Sequence, residues 1–341
     1  MIVYNTNECL STYMEQGYIN NIAIKCGMGE KSFEIFRSVN GVINSKTLFD
    51  MASVTKIMVT TMLSLIAIDK GTLNINDSVS KFYHVPEDKS SMTIKNLLTH
   101  TMGMGYKLLI DSGHTYENIQ DYILNIPSDV PVGTETMYSC PGYILLGKIL
   151  EKLYGNKLDI LFKEYIAKPL SMENSDFLPS RDNVFVNNNI SDNDIGRVSD
   201  YNCGFLGGVS GNAGLFSCMD DVYKFVKMLL NHASPLISKK TFDLSVKNYT
   251  PKMKESRALG FVYVDEKYKQ TGNLFSNGAI GHCGHTGQSV FVDYKSGLYA
   301  IILSDATVSV EKKCGFDKYD VVMKMRQDIH NAIKKDLCGI L

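Results

Sequence analysis

The chain of 341 residues is 44% hydrophobic and 21% charged, enough to build a large core as one unit or two subdomains. Its 35 basic and 36 acidic side chains nearly cancel, which excludes the charge excess that draws nucleic acid or an anionic membrane surface. No stretch of about 18 apolar residues offers a bilayer span, and the opening MIVYNTNECL lacks the basic start and apolar run of a secretory leader, so a cytoplasmic address is expected.

In chain order, Leu10, Tyr13 and Met14 recur first at helical spacing. NNIAIKCG and SFEIFRSVN then read as two strands, with Gly27, Met28 and Gly29 between them as a hairpin signal. Ser53 to Lys70 is apolar on nearly every side and stops at Gly71, the pattern of a central buried helix. From about residue 72 to 230 the pattern is mostly helical. CPGYILLGKILEKLYG has Pro141 near its start and Gly155 past its end, and SCMDDVYKFVKMLLN holds Ser217 and Asp220 at capping-box spacing. Between those helices, VNNNISDNDIG (186–196) is polar enough for a long loop at the mouth of a site. Strand signals return after 255 in LGFVYVD, QSVFVDY and GLYAIILSD, and a last helix over 318–335 puts Val322, Met325, Ile329 and Ala332 on one face.

Strands at both ends and helices between them predict an α+β fold, one antiparallel sheet flanked by helices with a helical subdomain inserted. Residues 1–75 and 231–341 are expected to form the sheet subdomain and 76–230 the helical one. The eight cysteines are scattered without a C-x-x-C pair, so zinc-ribbon and thioredoxin readings lack support and reduced thiols are expected.

Chemistry is concentrated at Ser53 and Lys56, in FDMASVTKIMVTTMLSLIAIDKG. Three residues apart on a helix, a hydroxyl and an amine share a face. A desolvated lysine can take the serine's proton, because burial disfavours the charged amine. A serine opening the helix also has an N–H without an intrahelical partner, free to stabilise an oxyanion. The spacing alone is weak: S-x-x-K also occurs at Ser78/Lys81 and Ser309/Lys312, both in polar, surface-like settings. The bland alternative at Ser53 is a capping serine with a snorkelling lysine.

The surrounding sequence resembles the serine β-lactamase and penicillin-binding-protein-like family, in its class C and esterase-related branch. The resemblance rests on LFDMASVTKIMVTTMLSLIAIDKGTLNINDSVSKFY with MTIKNLLTHTMGM, then MYSCPGYILLGKILE, GGVSGNAGLFSCMDDVYKFVKMLLN and GHCGHTGQSVFVDYKSGLYAIILSD, in family order over roughly residues 25–305. It implies a β-lactamase/transpeptidase-like fold, Ser53 as acylated nucleophile, Lys56 as its base and Tyr138 as a second acid/base. It further implies His285, Thr286 and Gly287 as the third motif beside the serine, with the Gln288 N–H as second oxyanion donor. No metal or other cofactor is implied.

Two positions depart from antibiotic-hydrolysing members. Cys140 stands where the family usually has Asn, and a thiol is a poor substitute for an amide that reads a substrate amide. His285 stands in place of a lysine, and a mostly neutral imidazole anchors a carboxylate poorly. His282 lies three residues earlier with no third metal ligand in evidence, and His100 reads as structural. The expected activity is therefore that of a serine hydrolase acting through an acyl-enzyme on small esters or peptide-like amides. The alternatives are a true β-lactamase or D,D-peptidase, or a catalytically silent protein that binds a cell-wall fragment.

Overall fold

A computed structural model describes residues 2–110, 112–180, 186, 196–315 and 319–339. Of the polar loop expected at 186–196, residues 187–195 lie outside the described residues. Nine strands are present among the described residues: β1 (Asn21–Met28), β2 (Lys31–Ser38), β3 (Phe49–Asp50), β4 (Asp176–Phe177), β5 (Leu215–Ser217), β6 (Val262–Tyr263), β7 (Ile280–Cys283), β8 (Ser289–Asp293) and β9 (Leu298–Ser304). Six make one antiparallel sheet in the order β2-β1-β9-β8-β7-β6, so both ends of the chain supply it. β1 runs on through Met28, and the hairpin turns at Gly29–Glu30, where Gly29 takes a φ of 60° that suits a residue without Cβ. β3, β5 and β4 form a small second sheet.

Alternation along the strands divides the core in two. Ile22, Ile24, Cys26, Ala300 and Ile302 face the terminal helices Tyr4–Glu15 and Tyr319–Cys338, which contribute Leu10, Val322, Met325, Ile329 and Ile333. Ala23, Val290, Val292, Ile301 and Leu303 face the other way, into a larger core with the helical region. Each fully buried Leu or Ile is worth about 1.5–3 kcal/mol relative to exposure. The terminal helices are also tied together, because the Asp336 carboxylate accepts the N–H groups of Asn5 (3.0 Å) and Thr6 (2.8 Å) at the start of the first helix. Those donors have no partner within their own helix.

The segment read as a central buried helix is one, in three parts: a 3-10 turn Ala52–Val54, a wider π segment Lys56–Thr61 and an α-helix Met62–Asp69. It ends where Gly71 takes a φ of 73°. Ala52–Asp69 is apolar and long enough to cross a membrane, but 89% of it is buried inside the protein. The helix Met219–Leu230 starts differently from expectation. Its cap position is Cys218, with no side-chain capping bond, because Ser217 is the last residue of β5 and its hydroxyl pairs with that of Ser175 at 2.7 Å.

Candidate active site

Ser53 stands on a strained turn. Ala52, the residue before it, has a φ of 45°, in the left-handed region that a residue with a Cβ seldom enters. Asp50 holds that conformation: its Oδ1 accepts the Ala52 N–H at 2.7 Å, while its Oδ2 accepts the N–H and the hydroxyl of Ser199, both at 2.7 Å. Burial pushes the Asp50 carboxyl above its ordinary range, and these hydrogen bonds oppose the push. β5 braces the turn from the other side, with the Met51 N–H on the Leu215 carbonyl (2.9 Å) and the Leu215 N–H on Thr55 Oγ1 (3.2 Å). The helix's own hydrogen bonding begins with Val54 N–H to Met51 O, so the Ser53 N–H lies upstream of it.

Lys56 is fully buried, one turn deeper. Its Nζ lies within hydrogen-bond reach of Ser53 Oγ (3.0 Å), the Asn212 carbonyl (2.8 Å) and Cys140 Sγ (3.7 Å). The glycines of GGVSGNAG make the second contact possible. A Cβ on Gly211 would lie 2.1 Å from the Tyr143 carbonyl, and Thr60 Oγ1 donates to the Gly211 carbonyl at 2.7 Å. The turn therefore presses its bare backbone between two helices and presents Asn212 to Lys56.

Tyr138 arrives just before the helix Cys140–Tyr154, and its hydroxyl donates to Ser53 Oγ at 2.6 Å. His100 grips the backbone on both sides of it: the Met137 N–H bonds the His100 carbonyl (2.8 Å) and the Ser139 N–H bonds its Nδ1 (3.1 Å). Ser53, Lys56, Tyr138 and Cys140 are thus brought together.

The His285 triplet is not brought to the same place. β7 ends at Cys283, and it is His282 whose ring lies 6.0 Å from that of Tyr138. His285 sits in the turn beyond, 57% exposed, stacked on Tyr319 at 5.2 Å and 3.9 Å from Glu311. The triplet against the serine is His282-Cys283-Gly284, one turn earlier in the sequence. A Cβ on Gly284 would lie 2.7 Å from the Met51 carbonyl, so the strand end touches the turn that carries Ser53. The backbone N–H after this triplet belongs to His285, not Gln288. Thr286 and Gln288 instead face inward, their side chains donating to the Asp50 carbonyl at 3.1 and 2.6 Å. Gly287 has a φ of 122° and no room for a Cβ beside Ser304.

A family model described as Beta-lactamase matches residues 35–316. The chain belongs to the Beta-lactamase family. Within it the chain is a serine hydrolase. It is 30% identical over 294 residues to an N-acetylmuramyl-L-alanine amidase of Bacillus subtilis (strain 168), covering 74% of this chain and 66% of that one. It is 29% identical over 307 residues to an Escherichia coli (strain K12) protein bearing the name D-alanyl-D-alanine carboxypeptidase, covering 76% and 69%. Its fold matches that of EstCE1, a hydrolase with promiscuous acyltransferase activity, at a TM-score of 0.75 and 18% identity over 96% of this chain and 97% of that one.

In this Beta-lactamase-family site the protonation states follow from burial. Tyr138 is pushed well above the ordinary phenol range by burial, then by Cys140, against the pull of the Ser53 hydroxyl and Arg257. It is a phenol at rest, as its bond to Ser53 requires. Burial, Lys56 and Arg257 hold His282 well below its usual value, so it is neutral. Its Nδ1 pairs with the Cys283 carbonyl at 2.6 Å. Burial likewise pushes the Cys140 thiol up, which keeps it protonated. Three residues at this site carried no sequence signal as participants: Asn212, Asp50 and Arg257. Asn212 meets Lys56, Arg257 meets Tyr138 and Asp50 meets Ser199 across more than 100 positions of chain, where no local pattern registers.

Proposed function

We propose that this chain hydrolyses small esters and peptide-like amides through an acyl-enzyme on Ser53. The observation that carries the reading is the Ser53 oxygen between two proton carriers, Lys56 Nζ at 3.0 Å and the Tyr138 hydroxyl at 2.6 Å. Tyr138 is already protonated, so the amine form of Lys56 takes the serine proton as Oγ bonds the substrate carbonyl carbon. Negative charge on the carbonyl oxygen falls between the N–H groups of Ser53 and His285. The leaving alcohol or amine takes the Tyr138 proton, which Lys56 replaces. Water then attacks the acyl ester, its proton passing to Lys56, and the acid departs as Ser53 regains a proton.

Ser53 and His282 come from the proposed sheet subdomain (1–75 and 231–341), and Tyr138 and Asn212 from the proposed helical one (76–230), so substrate enters between them. Neutral His282 and the thiol of Cys140 favour esters and amides lacking a carboxylate over β-lactams. The test is fluorophosphonate labelling with peptide mapping, followed by turnover of p-nitrophenyl butyrate, D-alanyl-p-nitroanilide and nitrocefin. A phosphonate on Ser53, absent from Ser53→Ala, with ester or anilide turned over faster than nitrocefin, is expected. No adduct on Ser53 overturns the mechanism, and faster nitrocefin turnover overturns the substrate ranking.

A further inference from the structure

Arg257 is nearly fully buried, yet its guanidinium carbon lies 5.8 Å from the centre of the Tyr138 ring. The segment that carries it is registered against the tyrosine. Glu255 N–H donates to Thr136 Oγ1 at 3.0 Å, two residues before Tyr138. The Arg257 backbone is pinned by its own N–H on Thr250 Oγ1 (2.8 Å) and by the Tyr249 N–H on its carbonyl (2.8 Å). The guanidinium's charged partner is Glu255, bonded through one terminal nitrogen, and the Arg257 Nε–H is buried without a partner. Burying a cation with one ion-pair partner and an unpaired N–H costs free energy.

We propose that Arg257 is a positioning residue for catalysis, the fixed positive charge that favours the deprotonated form of the Ser53–Lys56–Tyr138 cluster. The inference rests on the roles proposed above for Lys56 and Tyr138. The groups facing Tyr138 define its balance of charge: Lys56 Nζ 5.0 Å from the ring centre, Arg257, the rings of His100 (4.7 Å) and His282 (6.0 Å), the Ser53 hydroxyl, and at longer range Cys140 and Asp200. Of these, Arg257 is the cation that takes no part in the proton transfers, so its field persists through the cycle. The same field disfavours charge on His100 and His282, and it extends to Tyr143 and Tyr268. Arg326 adds to it at His282. A tyrosine that must surrender its proton in the transition state then does so beside a guanidinium.

The sign is testable from both ends of the ion pair. The readout is the second-order rate of Ser53 phosphonylation against pH, whose acid limb reports the cluster losing a proton and needs no natural substrate. Arg257→Met removes a cation and should move that limb to higher pH, by on the order of one unit. Glu255→Gln removes the opposing anion and should move it to lower pH. Arg257→Lys, which restores the charge, should bring the limb back toward the wild-type position. A limb that stays in place in both Arg257→Met and Glu255→Gln, or that moves the same way in both, overturns the proposal. If Arg257→Met does not fold, the direction of the Glu255→Gln shift decides alone. Failure of the wild type to label at all would instead overturn the reading of Ser53 itself.

Discussion

His282 near the end of β7 and His285 in the turn beyond it each open a triplet, and only the first meets the tyrosine. GHCGHTG contains His282-Cys283-Gly284 and, directly after it, His285-Thr286-Gly287, and the sequence reading chose the second. Strand register separates them, because β7 pairs with β8 through Cys283↔Ser289 and then turns away. His285→Ala should leave the rate of Ser53 phosphonylation within about twofold, since the ring is removed from solvent and Tyr319 while the backbone N–H stays. His282→Ala takes the ring from beside Tyr138, and displacing a catalytic group by about 1 Å costs on the order of 10²-fold. Equal effects of the two substitutions would contradict this placement. Cys140 offers a second residue-scale test. Asn212 Oδ1 is buried without a partner, and the Asn212 side chain reaches the Cys140 thiol. An amide at position 140 could donate to that oxygen and accept from Lys56. Cys140→Asn should therefore keep a thermal midpoint within about 4 °C of wild type and acylate faster with D-alanyl-p-nitroanilide. A large drop in the midpoint would show that the orphaned oxygen faces elsewhere.

Elements position these side chains through contacts of bare backbone. The strand end at Gly284 and the turn at Gly211 each approach a neighbouring carbonyl more closely than any Cβ permits. Gly284→Ala should push β7 off the Met51–Ala52 turn and lower Ser53 labelling on the order of 10²-fold, with the far-ultraviolet circular dichroism of the folded protein retained. Labelling at the wild-type rate would show that the nucleophile turn does not depend on that contact. The buried helix was legible at this scale from apolar residues on nearly every side, ending at Gly71, and so was the hairpin before it. The π segment was not, because a helix apolar on every face has no periodicity to reveal a wider turn. The Ser217 capping expectation failed for a related reason. Capping-box spacing does not say whether its serine is already committed to a strand, as Ser217 is in β5.

Across the whole molecule, the division of strands between the two chain ends was readable from composition, and the inserted helices from their spacing. What joins them at the site was not readable, since Arg257 on Tyr138, Asn212 on Lys56 and Asp50 on Ser199 are contacts that only the folded topology creates. One property of the assembled core follows from its histidines. His330 is fully buried between Arg326 and Ser289, and burial lowers its pKa to about 4. His100 and His282 are also held low by burial. The unfolded chain binds protons at these positions near pH 6.5, whereas the folded chain does not, so stability rises with pH through that region and falls on acidification. From pH 7 to pH 5, His330 alone should cost about 2 kcal/mol. In urea unfolding, the loss between the two pH values should be smaller in His330→Gln than in the wild type by about that amount. A stability independent of pH between 5 and 7 would mean that these rings are charged or exposed.

The central claim is that Ser53 is made nucleophilic by Lys56 with Tyr138 as its proton relay. Its most direct test is the intact mass of the wild type, Lys56→Met and Tyr138→Phe after brief exposure to p-nitrophenyl acetate and an acid quench. One acetyl group on Ser53 is expected in the wild type, and little or none in either variant. Acetylation at the wild-type rate in Lys56→Met, or an adduct on a residue other than Ser53, would contradict it.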